Sequence, residues 1–229
     1  MRYYPVCLDL KRKNCLVVGG GKVALRKIKR LLDGGANIKL VAKEVIPELK
    51  SIISDKKITY LGAEYKTDYL KDVFLVIGAT NDEILNARLS KEANAANILC
   101  NIVDQPEKCN FIVPSVVTRG DLTIAISTAG RSPAMAKKLR EELENQFGED
   151  YALFLKLLGK LRSYLKKVVP HQKEREAILN KLVNSNLLVY IKEKNVEAVK
   201  KEIKKLVPKI SDLDKLLNFK QKEKSQNNV

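Results

Sequence analysis

The sequence has no tryptophan, a single histidine at position 171, and four cysteines, Cys7, Cys15, Cys100 and Cys109, with no CxxC pair among them. Without a CxxC pair and with one histidine, the ligand spacing of a zinc site is missing, so a zinc cluster is not expected. Reduced, mostly buried thiols are expected instead. No apolar run approaches the roughly 18–20 residues that span a bilayer. The opening MRYYPVCLDLKRKN has neither an apolar signal core nor a small-residue cleavage site, so the chain is expected to stay in the cytoplasm. No Cys-His pair, Ser-His-Asp arrangement or paired carboxylates announce a nucleophilic or glycosidic site.

What is present is ordinary globular material. The 229 residues are 45% hydrophobic and 31% charged, enough for one α/β domain and a smaller attachment. The net charge of +16 is uneven, with 19 basic and 9 acidic residues from position 150 to the end. A basic surface suits nucleic acid, an anionic membrane or a polyanionic small molecule, and general lysine enrichment produces the same number.

The first hundred residues alternate strand-like and helix-like segments, the pattern of a parallel α/β sheet. NCLVVG is an apolar run closed by glycines, and the helix after it places Val23, Ile28, Leu31 and Leu32 on one face. Strands follow at 37–42, 57–62, 73–80 and 97–104. A helix over 82–96 uses Ile84, Leu85 and Leu89 as apolar positions. After Phe111 the pattern changes, and IVPSVVT and LTIAIST flank Arg119-Gly120-Asp121 as a β-hairpin. Ser132 then caps a helix with Pro133 at its first position. The remainder is helical, with breaks at Pro170 and Pro208. The expected domains are a Rossmann-like unit over 1–113, a hairpin-helix dimerisation segment over 114–148, a small helical domain over 149–218, and a disordered polar tail over 219–229.

The sharpest motif is LVVGGGKVALRK, a G-x-G-x-x-A made by Gly19, Gly21 and Ala24 between a strand and a helix. Gly19 permits the tight turn, Gly21 lets backbone approach a pyrophosphate, and Ala24 allows close packing, while the helix N-terminus favours negative charge. Lys22 and Val23 stand at the helix start with N–H groups to offer a dinucleotide. The ribose-reading position holds Lys43 and Glu44, and this pair leaves NAD and NADP open. Ligands of such sheets sit outside the strands' carboxyl ends, so Thr80 and Asn81, Asn101 and Asp104 are the candidates there. Asp104 is the expected general base; its plainer alternative is a turn cap before Pro106. Arg119-Gly120-Asp121 is read as a hairpin turn rather than an adhesion motif, and His171 as a solvated linker residue.

The runs YYPVCLDLKRKNCLVVGGGKVALRK, VIGATND, CNIVDQPEKCNFIVPSVV and STAGRSPAMAKKLREELE, in that order, closely resemble the precorrin-2 dehydrogenase family of siroheme synthesis over roughly residues 3–147. The resemblance implies NAD-dependent oxidation of precorrin-2 to sirohydrochlorin, with Asp104 on the family's essential aspartate. It tips the cofactor to NAD, with Lys22, Val23, Lys43 and Glu44 at contact positions. It also implies a homodimer formed through the segment after the nucleotide-binding domain and, in bifunctional members, insertion of Fe2+ as a second substrate. The tetrapyrrole carries acetate and propionate groups, for which Arg119, Arg131, Lys137 and Lys138 are the expected partners, with Asn101 beside them. The chain looks like the stand-alone form of the family, for which the methylation steps are expected on another protein. Two other readings remain: a dinucleotide-sensing or nucleic-acid-binding regulator using the basic C-terminal region, and a generic Rossmann reductase for a small carbonyl compound.

Overall fold

Asn14–Val18 forms β1 because four of its five residues are apolar and β-compatible, and alternate side chains serve opposite faces. Cys15 and Val17 enter one core, and Leu16 and Val18 the other. A strand buried on both faces must be interior, and β1 is the middle strand of a five-stranded sheet. The other strands are β2 (Asn37–Val41), β3 (Thr59–Gly62), β4 (Leu75–Gly78) and β5 (Leu99–Ile102), ordered β3-β2-β1-β4-β5 and all parallel. The expected Rossmann-like architecture is therefore what the chain adopts. The computed structural model describes residues 3–208, 210 and 213–217. The expected disordered tail at 219–229 lies outside the described residues.

Helix α1 (Lys22–Asp33) and α2 (Pro47–Ser54) cover one face, burying Ala24, Ile28, Leu31 and Leu49. Helix α3 (Glu83–Ala95) covers the other through Leu89 and Ala93. Two sequence expectations change here. Val23 is only half-buried, and Ala24 takes the core position beside it. Ile84 is 84% exposed, because the buried stripe of α3 is Asn86, Leu89, Ser90 and Ala93. Asn86 is drawn inward by its amide, which donates to Thr80 O at 3.0 Å, and Ser90 by its hydroxyl, which donates to Lys108 O at 2.7 Å.

The chain divides between Val113 and Pro114 into two compact units. The second begins with the antiparallel hairpin β6 (Ser115–Arg119) and β7 (Leu122–Ile126), whose two-residue turn has Gly120 at φ +56°. Ser132 caps α4 (Pro133–Gln146) by accepting from Met135 N at 3.2 Å. Then come α5 (Asp150–Val168), α6 (Gln172–Val183), α7 (Leu187–Lys192), α8 (Val196–Leu206) and α9 (Leu213–Leu217). Phe154, Leu157, Leu161 and Leu165 recur along α5 at helical spacing and meet Leu182, Leu187, Val199 and Ile203 in one core. Among the described residues no helix is long and apolar enough to cross a membrane.

Candidate dinucleotide and proton-transfer site

In an open parallel sheet the chain leaves neighbouring strands in opposite directions where the strand order reverses, and a crevice opens there. Here the reversal is between β1 and β4. The β1–α1 turn at this point is built from three glycines with three different duties. Gly19 has φ +122°, and a Cβ on it would sit 2.2 Å from Ala79 O. A Cβ on Gly20 would meet Glu44 O at 2.0 Å and Ala42 Cβ at 2.9 Å. Gly21 has an ordinary extended backbone, and a Cβ there would meet nothing within 4 Å. Gly19 and Gly20 thus serve the fold, while Gly21 keeps open space beside the backbone. No side chain caps α1 and no acidic residue occupies its first turn, so its first N–H groups and the positive end of its dipole are available to an anion.

A cavity of about 290 Å³ lies beside the first turn of α1. Its walls are Val23 of α1, Ala79 to Asn81 after β4, Glu83 at the start of α3, and Val103 to Gln105 after β5. Asp104 is held at φ +60°, a conformation that aspartate tolerates better than most residues. Its carboxylate makes no hydrogen bond to any described residue, so the turn-cap alternative is not the role it has. The Cys109 thiol fastens the loop that carries it: Sγ accepts from Ile102 N at 3.1 Å and lies 3.2 Å from both Ile102 O and Gln105 O.

Two residues that sequence reasoning passed over belong here. Gln105 Oε1 is buried without a hydrogen-bond partner, an acceptor aimed at nothing the described chain supplies. Lys27 lies one turn along α1 from Val23, hence on the same face. Burial holds its ammonium below the usual lysine range, Arg26 and Arg30 push the same way, and Cys109 and Asp104 oppose them. The i,i+4 spacing from Val23 was the only signal in the sequence for Lys27; Gln105 had none.

The open space at Gly21, the uncapped helix and the unpartnered Gln105 acceptor fit a dinucleotide, with a pyrophosphate on the N–H groups of Lys22 and Val23. A family model described as NAD(P)-binding matches residues 6–115, and one described as Sirohaem biosynthesis protein central matches residues 119–146. Siroheme synthase of Buchnera aphidicola is 38% identical over 205 residues, covering 90% of this chain and 43% of the relative. Siroheme synthase of Zymomonas mobilis is 40% identical over 184 residues, with coverages of 80% and 39%. A solved structure titled "SirC, precorrin-2 dehydrogenase" matches with a TM-score of 0.73 at 28% identity, over 87% of this chain and all of that one. The chain belongs to the precorrin-2 dehydrogenase and siroheme synthase family. It spans less than half the length of the siroheme synthases it matches.

The remaining positions expected from the sequence separate into three groups. Lys43 and Glu44 follow β2 exposed and without partners among the described residues, where a ribose would be read. Thr80 and Asn101 are turned to the fold: the Thr80 hydroxyl bonds Asn86 Oδ1 at 3.1 Å, and the buried Asn101 amide donates to Phe111 O at 3.1 Å. Asn101 therefore shapes the site rather than offering its amide to a substrate. Arg119, Arg131, Lys137 and Lys138 all belong to the second unit. The Arg119 guanidinium is spent on Thr118 O, Glu144 O and Glu149, whereas Arg131 has no side-chain partner among the described residues. Lys137 and Lys138 are exposed and face Glu141 and Glu142 only at 3.9 and 3.8 Å.

Proposed function

We propose that this protein is an NAD-dependent dehydrogenase that oxidises precorrin-2 to sirohydrochlorin, with Asp104 as the proton-handling group. The observation that carries the reading is the Asp104 carboxylate, without a hydrogen bond to any described residue, in the wall of the cavity at the strand-order reversal. Oxidation of the reduced macrocycle removes a hydride and a proton. NAD, when bound, supplies the hydride acceptor. The chain's own part is to hold the pyrophosphate at Gly21, Lys22 and Val23, to orient the cofactor through Gln105, and to take the proton on an Asp104 oxygen. A carboxylate with no hydrogen bond has both oxygens free for that purpose. Glu83 also lines the cavity, from the first turn of α3.

Arg131, Lys137 and Lys138 are proposed to meet the substrate's carboxylates, with Arg119 dropped from that set because its donors are occupied. The family's pairing through β6, β7 and α4 is proposed for this chain as well, and light scattering on the purified protein measures it. We place the reaction in the cytoplasm, in keeping with four free cysteines.

The test is anaerobic incubation with precorrin-2 and NAD+, following NADH and the sirohydrochlorin spectrum, with a parallel run containing Fe2+. Wild-type protein is expected to form both products. Asp104→Asn is expected to lower the rate by roughly a hundredfold or more while keeping NAD affinity. A folded, NAD-binding protein that gives no turnover would defeat the assignment. In the Fe2+ arm, metal insertion faster than the protein-free control would add a chelatase activity.

A further inference from the structure

The second unit carries a groove for which the reading above has no use. It lies between α5 and α6, encloses about 660 Å³, and has Leu155, Leu158 and Leu179 among its apolar walls. Arg162 and Lys166 of α5 and Arg175 of α6 also line it. Arg162 and Lys166 are four residues apart, so they stack on one face of the helix. Both are exposed, and neither has a hydrogen bond or ion pair to any described residue. The other charges are accounted for differently. Arg175 donates to Val169 O and Pro170 O at 2.8 and 2.7 Å, and Glu176 accepts from Gln172 Nε2 at 2.8 Å. Three cations thus line the groove against two carboxylates, Asp121 and Glu176, and of these Arg162, Lys166 and Asp121 have no side-chain partner among the described residues.

Gly159 lies on the groove wall, inside the 19-residue α5. Glycine is a poor helix former, and a Cβ built at this position meets nothing within 4 Å. Neither helix stability nor packing requires a glycine there. A side chain there would instead project into the groove, which the glycine leaves open up to the helix backbone.

We propose that the α5–α6 groove binds a cyclic tetrapyrrole polycarboxylate, with the macrocycle against Leu155, Leu158 and Gly159 and carboxylate arms on Arg162 and Lys166. For the class of ligand this rests on the dehydrogenase reading; for the place it rests on the groove alone. A tetrapyrrole of this kind is an apolar plate edged with carboxylates, and the groove matches both parts. Its volume is in the range of small-molecule sites, of order 300–1,000 Å³. No aromatic side chain lines it, which leaves a nucleic acid without a stacking platform.

The test uses the full chain and uroporphyrin, a stable cyclic tetrapyrrole with acetate and propionate arms, read by fluorescence quenching at low salt. Wild-type protein is expected to bind saturably. Gly159→Leu, which fills the groove, and Arg162→Glu with Lys166→Glu, which reverses its charge, are each expected to weaken binding about tenfold or more. Gly159→Leu should melt at or above the wild-type temperature, and both variants should keep NAD affinity. Wild-type affinity in both variants, or no binding by wild type, overturns the proposal. So does loss in the charge variant alone, which would mean diffuse attraction of an anion to a basic surface. Precorrin-2 turnover in the same variants separates the two readings. Normal wild-type turnover with unchanged KM and porphyrin affinity in the variants sinks the groove and leaves the dehydrogenase. Absence of wild-type turnover sinks the dehydrogenase, and the porphyrin titration still decides the groove.

Discussion

Gln105 carries a cost that a donor on a ligand would remove. A buried acceptor without a donor costs roughly 1–3 kcal/mol, so Gln105 Oε1 destabilises the ligand-free fold. Gln105→Leu is therefore expected to leave the melting temperature unchanged or raise it, yet to weaken NAD binding about tenfold by deleting the waiting acceptor. Calorimetry and an NAD titration on one preparation give both signs, and lowered stability with unchanged affinity would show that the side chain serves the fold. Cys15 and Cys100 show the opposite case, in which burial costs nothing until a proton must leave. Burial pushes both thiols up from 9.0 to about 11, with Cys109 adding to the shift at Cys100. Well below pH 9 each thiol is neutral whether the chain is folded or not. Between pH 9 and 11 the unfolded chain releases protons that the folded one retains, so stability falls as pH rises, by up to about 1.4 kcal/mol per pH unit for each thiol. Urea titrations across that range should show the slope, and Cys15→Val with Cys100→Val should flatten it.

The three glycines of the β1–α1 turn allow a cleaner dissection than any other element. Gly20→Ala would drive a methyl group into the Glu44 carbonyl, a backbone atom that cannot swing aside, and is expected to destabilise the fold by about 3 kcal/mol or more. Gly21→Ala meets open space at a backbone conformation alanine adopts freely, so the fold should hold or gain slightly. Its methyl group occupies the approach to the helix N-terminus, and NAD affinity should fall about tenfold. Thermal melts with and without NAD distinguish the two, and equal behaviour would refute the division of labour. This element was legible in the sequence because strand, glycines and helix are written consecutively. The sheet was legible for a similar reason, since each strand is a short apolar run bounded by turn residues. The lateral packing of helices was less so. Ile84 reads as core by hydrophobicity, but Asn86 and Ser90 have hydrogen-bonding tasks at the loop after β4 and near Lys108, and these rotate α3 so that Ile84 faces outward. Lys27 was faintly legible and Gln105 not at all, because their surroundings come from segments some eighty residues apart or from the packing of a loop on itself. The groove on α5 was hidden for the same reason, since an isolated glycine in a helical pattern does not say what lies opposite.

At the scale of the whole molecule, charge and core are distributed differently. The basic excess is concentrated after position 150, whereas the family's dinucleotide motif lies wholly before Val113. Each unit also has a hydrophobic core of its own: two clusters on the two faces of the parallel sheet, and one centred on α5. A ligand stabilises only the cooperative unit that holds it, by RT ln(1 + [L]/Kd), which is about 2.7 kcal/mol at a concentration of 100 Kd. Amides of Val18, Ile77 and Ile102, which open with the sheet, should then exchange roughly a hundredfold more slowly in saturating NAD. Those of Leu157, Leu161 and Leu165 in α5 should keep their rates, because nothing in their core depends on the nucleotide. Hydrogen exchange with and without NAD measures both sets in one experiment. Equal slowing in α5 would mean that the two units unfold as one, and the stability of the helical unit would then be set by occupancy of a cavity it does not line.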